Sequence, residues 1–306
     1  MTSGRILRIE KLSSYDGAGL RSVVFLKGCP LRCQWCSTPE SHEISTDFGV
    51  RKSKCTHCYT CVETCPEAAI FYDEGRDVFV TDMNRCSDCR KCVDECPTGA
   101  RTAYGYTATV EKIVQEVAKD SVFYYHSGGG VTVSGGEPFL QKDFLRELLE
   151  GCLIRGINTA VETCGHASWE SIEASLPFID TLFYDLKHME STAHKRLTGV
   201  GNHLIMDNLL KIDQGPHALT IIVRIPVVFG LNDDDTNLRA LGEFCLKLKK
   251  LKEIQLLPYH RLGMETYHTL SRPYALENAP AVENDALMPM AVLLKQMGLP
   301  VRIGSY

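Results

Sequence analysis

Three cysteines crowd into one short run: Cys29, Cys33 and Cys36, in Gly-Cys-Pro-Leu-Arg-Cys-Gln-Trp-Cys, spaced C-x3-C-x2-C. Three thiolates at that spacing can hold three irons of a 4Fe–4S cube on a single loop. A cube needs four ligands and the run has no fourth. One iron is therefore left open for a substrate or cofactor, as a catalytic metal keeps one position free. The loop has the make-up of a reaction centre, not of a structural staple.

A second cysteine pattern is doubled. Cys55, Cys58, Cys61 and Cys65, closed by Pro66, recur as Cys86, Cys89, Cys92 and Cys96, closed by Pro97, at a constant offset of 31 residues. Each copy matches the C-x2-C-x2-C-x3-C-P run of bacterial two-cluster ferredoxins, in which the fourth cysteine serves the other cluster. One cluster is then expected on Cys55, Cys58, Cys61 and Cys96, and the other on Cys86, Cys89, Cys92 and Cys65. Structural zinc sites space their pairs ~12 to 20 residues apart, so the crowding here argues against zinc. Thiolate ligation with few hydrogen-bond donors keeps such clusters at low potential. Residues 50–106 are expected to form a small electron-carrying domain of α+β type, inserted in a chain whose main body is 1–49 and 107–306.

The chain has 306 residues, 44% apolar and 23% charged, with a net charge of −5. That is enough for one large core plus a small module. The acidic balance argues against nucleic acid as a partner. No run approaches the ~18 apolar residues of a membrane helix. The N-terminus lacks a secretory stretch, so a cytoplasmic monomer is expected. Fourteen cysteines in a reducing compartment point to metal ligation rather than disulfides. Cys152, Cys164 and Cys245 stand among apolar neighbours and are expected to be plain packing. His57 is expected to be exposed and without a role.

These groups must be positioned by a scaffold. β-rich runs occur at 21–26, 131–133, 159–161, 181–184, 219–223 and 253–257. Helical spacing of apolar residues marks 109–119, 139–150 and 235–250. Strands alternating with helices imply a parallel sheet with crossover helices, here a partial (β/α)6 TIM-like barrel. Unusual polar residues are expected just past the strand C-termini: Cys29, Glu137, Glu162, Asp185, Arg224 and His260. In parallel α/β sheets the ligand site lies at that edge. Gly128-Gly129-Gly130 lacks the Gly-Lys-Ser/Thr of a phosphate loop and is expected to be a flexible approach to the second strand.

At this point the residues resemble a known family. The triad with Trp35 resembles the cluster loop of radical S-adenosylmethionine enzymes, and Ser134-Gly135-Gly136-Glu137-Pro138 resembles their Gly-Gly-Glu-Pro segment. Asp16-Gly17-Ala18-Gly19-Leu20-Arg21, Asp185-Leu186-Lys187 and Leu257-Pro258-Tyr259-His260-Arg261-Leu262-Gly263 resemble segments of glycyl-radical-enzyme activating enzymes. The double insert is similar to that of the larger activases. Ala18 and Leu20 replace the family's Pro and Ile.

The resemblance implies three 4Fe–4S clusters and S-adenosylmethionine. It implies cofactor contacts from Trp35, Cys36, Ser37, Ser134, Gly135, Gly136, Glu137, Asp185, Leu186, Lys187, Arg224 and His260. Glu137 is the expected acceptor for the methionine ammonium, and Arg224 suits its carboxylate. Asp16 and Gly17 would hold a substrate peptide. Glu162-Thr163 stands where many relatives carry Asp-Thr at a proposed monovalent-cation site, with Asp185 nearby. The implied activity is oxygen-sensitive hydrogen abstraction from a glycine Cα of a large glycyl radical enzyme. The implied electron donor is a flavodoxin or ferredoxin. The alternative is a radical enzyme acting on a small molecule or short peptide.

Overall fold

The computed structural model describes residues 2–304. Its strands are β1 (Ser3–Ser13), β2 (Arg21–Leu26), β3 (Asp47–Val50), β4 (Ile70–Asp73), β5 (Val78–Thr81), β6 (Arg101–Tyr104), β7 (Tyr106–Thr109), β8 (Gly130–Gly135), β9 (Asn158–Thr163), β10 (Thr181–Asp185), β11 (Thr220–Val227), β12 (Leu251–Pro258) and β13 (Val301–Ile303). The helices are α1 (Thr60–Glu63), α2 (Lys91–Asp94), α3 (Val110–Ala118), α4 (Ser121–Ser127), α5 (Lys142–Leu153), α6 (Trp169–Glu173), α7 (Ser191–Thr198), α8 (His203–Gln214), α9 (Asp235–Cys245), α10 (Met264–Thr269) and α11 (Met288–Gln296). No helix among the described residues is long and apolar enough to cross a membrane.

A nine-stranded sheet runs in the order β13-β12-β11-β10-β9-β8-β2-β1-β7. The six strands expected from the sequence are its parallel centre, β2 and β8 to β12. β13 adds a parallel neighbour to β12, while β1 and β7 extend the other side antiparallel. The sheet is open, as a partial barrel requires. β1 escapes sequence detection because two register shifts against β2 break its alternation.

The period of two along each strand sorts side chains onto two faces. Val131, Val133, Val161, Leu182, Tyr184, Ile221, Val223, Ile225, Ile254 and Leu256 join the main core. The same core takes the apolar stripes of α3 (Ile113, Val114, Val117) and α5 (Phe144, Leu145, Leu148, Leu149). The intervening residues Ser134, Glu162, Asp185 and Arg224 line a cavity on the opposite face. Asp185 pairs in register with Arg224, and Arg224 with Gln255.

The Gly128–Gly130 run is not flexible. Gly128 ends α4 in the left-handed conformation (φ 70°). A Cβ on Gly129 would fall 1.8 Å from the carbonyl oxygen of Leu20. Gly129 and Gly130 are required by close backbone packing and Gly128 by its left-handed φ.

Residues 47–104 form a separate small unit. β3 pairs antiparallel with β6, and β4 with β5. Val50, Ile70, Val78, Phe79, Cys92 and Ala100 make its apolar cluster. The 31-residue repeat is present in the backbone as well. His57 and Tyr59 have φ of 55° and 60°, and their counterparts Asp88 and Arg90 have 55° and 65°. α1 and α2 each follow directly.

Candidate active site

A cavity of about 490 Å3 opens at the C-terminal edge of the parallel strands. Cys29, Cys33 and Cys36 all line it, as free thiols. Their loop is held by backbone bonds. Cys29 N donates to His42 O (3.0 Å), Arg32 N to Thr198 O (2.7 Å), Gln34 N to Leu197 O (3.0 Å) and Cys36 N to Cys33 O (3.1 Å). Burial pushes the Cys33 and Cys36 thiols up to about 12. They are poor thiolates on their own, and a bound metal deprotonates a coordinating thiol outright. Trp35 is both core and wall: it is 8% exposed, packs with Tyr259, Tyr267 and Tyr274, and lines the cavity.

His42 underlies this loop. Burial first, then Arg32, Arg272 and Lys27, lower its pKa from 6.5 to about 4. The sign follows. The folded protein prefers neutral His42, so this contribution is present above the unfolded value and is lost as pH falls toward the folded value. Stability is expected to decline between pH 6.5 and about 4. His42→Asn should flatten that slope in denaturant melts taken across the range.

Ser37, Ser134, Gly135, Gly136, Lys187 and His260 also line the cavity. A Cβ on Gly136 would lie 2.1 Å from the Gly28 carbonyl oxygen, so only glycine lets these turns meet. Arg224 is 5% exposed and already occupied. Its Nε donates to Gln255 Oε1 (3.0 Å), Nη1 to Glu162 Oε1 and Nη2 to Tyr15 O (3.1 Å). The guanidinium also stacks on Phe183, 3.9 Å from the ring centroid. Ser134 Oγ donates to the other oxygen of Glu162 (2.5 Å). Lys187 Nζ is 2.7 Å from Asp185 Oδ2. Burial opposes its charge, and Asp185 holds it protonated. Asp16 lines the same cavity and accepts from the Ser13 hydroxyl. Burial, then Glu162, push its carboxyl up.

Glu137, Leu186 and Gly17 do not line the cavity. Glu137 is fully buried and spent. Thr163 Oγ1 donates to both of its oxygens at 2.8 Å, Phe139 N donates at 3.1 Å, and the backbone N and Sγ of Cys164 lie at 2.9 Å. The carboxylate clamps the end of β8 to the end of β9. Leu186 points into the main core and contributes only backbone, its N donating to Arg224 O (3.0 Å). Gly17 packs on Arg21 and Phe183. Cys164 is not plain packing, unlike Cys152 and Cys245 in the main core. It lines the cavity and hydrogen-bonds both Glu137 and Cys29. Its apolar surroundings hid that.

Thr163 also lines the cavity, but its hydroxyl is used by Glu137. Glu162 and Asp185 each face a basic side chain. Among the described residues no group of three or more His, Cys, Asp or Glu side chains is arranged around a single metal ion.

In the small unit, burial raises Cys61, which also feels Cys92, Cys55 and Cys96; Cys92 is likewise raised by burial and feels Cys86 and Cys65. The residues at 57, 59, 88 and 90 have left-handed φ, a conformation that anion-binding nests use. Arg101, 4% exposed, donates to Phe79 O (2.9 Å) and to Thr81 Oγ1, yet its buried Nε has no partner among the described residues. That orphaned donor beside Cys92 suits an anionic cluster. His57 is exposed and edges onto Tyr72, with ring centroids 5.4 Å apart.

Comparison with known proteins decides the family. The model described as Radical SAM superfamily matches residues 23–242. An isethionate sulfite-lyase activating enzyme of Nitratidesulfovibrio vulgaris is 42% identical over 274 residues, 89% of each chain. A choline trimethylamine-lyase activating enzyme of Oleidesulfovibrio alaskensis is 38% identical, covering 97% of both.

The chain belongs to the glycyl-radical-enzyme activating enzymes of the radical SAM superfamily.

In fold, this radical SAM protein is similar to a radical SAM methyltransferase from Sphaerobacter thermophilus. The TM-score is 0.50 at 15% identity, covering 65% of this chain and 58% of that one.

Proposed function

We infer that the protein activates a partner glycyl radical enzyme. When bound, the triad cluster supplies one electron to S-adenosylmethionine, giving methionine and a 5′-deoxyadenosyl radical that abstracts a hydrogen from a glycine Cα of the partner. The observation that carries this is the convergence of Cys29, Cys33 and Cys36 on a cavity whose other walls are paired charges and glycine backbone. The chain's own residues bind and orient. Gly135 and Gly136 present backbone to the cofactor. Lys187 and Asp185 offer a charged pair to its polar groups, and Trp35 an apolar face. Arg224 ties Tyr15, and so the loop carrying Asp16 and Gly17, to Glu162 on the cavity wall. That loop receives the partner's glycine segment.

Incubation of the anaerobically reduced protein with S-adenosylmethionine and a partner encoded beside it is expected to yield a glycyl doublet by electron paramagnetic resonance. Cofactor cleavage without a radical on any partner would favour a small substrate instead.

Residues 50–106 are read as a ferredoxin-like domain holding two clusters, on Cys55, Cys58, Cys61 and Cys96 and on Cys65, Cys86, Cys89 and Cys92. The nest backbone and the orphaned Arg101 donor support this. The domain passes electrons from a flavodoxin or ferredoxin inward. Serine at Cys58 and Cys89 should slow reduction of the triad cluster by such a carrier about tenfold or more, while a small chemical reductant still drives cofactor cleavage. Equal rates with both reductants would leave the clusters a structural part only.

A further inference from the structure

Among the described residues, the 47–104 unit buries two charged side chains, Arg101 and Asp47. Arg101 donates within the unit, to Phe79 O and Thr81 Oγ1. Asp47, the first residue of β3 and 8% exposed, finds its partners in the main body. Its Oδ2 is 3.2 Å from Lys27 Nζ, and its Oδ1 accepts from Arg272 Nη2 at 2.6 Å. Lys27 is fully buried and also donates to Glu40 O. Arg272 Nη1 donates to Pro39 O at 2.7 Å. One carboxylate of the small unit thus meets two cations of the main body, and each cation holds a backbone carbonyl beside the triad.

These partners stand at both ends of the triad loop. Lys27 closely precedes Cys29, and Pro39 and Glu40 closely follow Cys36. On the other side, β3 leads through Lys52–Lys54 into Cys55. β3 also lies tight on the end of α10, where a Cβ on Gly49 would fall 2.7 Å from Thr269 Cγ2. Tyr267 of the same helix belongs to the aromatic cluster against which Cys33 and Cys36 pack, and Arg272 N donates to its carbonyl at 2.9 Å. Small units move against their neighbours unless something fixes them, and the rate at which an electron crosses protein falls steeply with separation. We propose that Asp47 is a positioning residue for electron delivery, holding the 47–104 unit against the triad loop at the separation the transfer needs. One electron from the flavodoxin or ferredoxin named above passes by way of the small unit to the triad site, and no bond is made or broken. This rests on the two-cluster reading of the small unit. A neutral residue at position 47 would leave two cations, one of them fully buried, without their carboxylate, which loosens the contact.

The test uses the full chain loaded with its clusters, unaltered and as Asp47→Asn and Arg272→Gln. Reduction of the triad site is timed with a reduced flavodoxin and, separately, with dithionite. In Asp47→Asn the flavodoxin-driven rate is expected to fall about tenfold or more relative to the dithionite-driven rate, the scale on which small displacements of reacting groups act. Arg272→Gln removes one of the two ties at a side chain 30% exposed. It decides the matter where Asp47→Asn loads iron poorly, and a smaller fall of the same sign is expected. A second measurement does not depend on turnover. A nearby paramagnet speeds spin relaxation, so the microwave power that half-saturates the triad signal of the fully reduced protein should drop in both variants. Asp47→Glu, which keeps the charge, should recover part of both effects. Equal losses with flavodoxin and dithionite, no loss with either, or unchanged power saturation would overturn the role given to Asp47, even if stability falls. An unaltered protein that binds iron for the triad site alone would instead remove the two-cluster reading, and this inference with it.

Discussion

Alanine at Cys29, Cys33 and Cys36 together is expected to bring S-adenosylmethionine cleavage to background, a loss of at least about a thousandfold, or roughly 4 kcal/mol of barrier. The cause is specific. Of the eleven cysteines in the clustered runs, these three line the cavity with Lys187 and Arg224, whereas the other eight lie in the 47–104 unit. The variant should still carry about two thirds of the iron, because the doubled runs keep their ligands. Iron content and cleavage with a chemical reductant are the two measurements. Undiminished cleavage in the triple variant would show that the reaction centre lies elsewhere. Loss of all the iron would show that the three sites do not load independently.

Arg224→Leu is expected to cost about 3 kcal/mol of stability, because removing one member of a buried ion pair strands the other. Arg224 and Glu162 side chains are 6% and 23% exposed, so Glu162 keeps some access to water and the lower end of the range applies. The guanidinium also gives up Gln255 and the Tyr15 carbonyl. Lysine cannot restore a planar group that reaches three partners at once. Arg224→Lys should therefore recover little. The double change Arg224→Leu with Glu162→Gln should be less destabilised than Arg224→Leu alone in denaturant titrations. Simple additivity would mean that the two side chains do not depend on each other.

Much of this site is local in origin and so was visible in the chain. The cysteine spacings are short-range geometry: a few residues of loop set how many thiols can reach one cluster. The six parallel strands were visible because a strand's apolar alternation is also local. Their ends were less so. Arg224 lies inside β11 rather than past it, since pairing with β10 and β12 prolongs the strand beyond its β-rich stretch. The antiparallel strands β1 and β7 are not legible in the sequence, because β1 is broken by two register shifts and β7 is a short edge strand.

What no reading along the chain could supply is which way a polar side chain turns once its neighbours arrive. The Glu137 carboxylate is met by Thr163 and Cys164, which β9 brings to it. Cys164 looks like core and is drawn to Cys29 by the same junction. Residue type and spacing settle what chemistry a chain can carry. Hydrogen-bond competition among groups distant in sequence settles which of its candidates remain available for it.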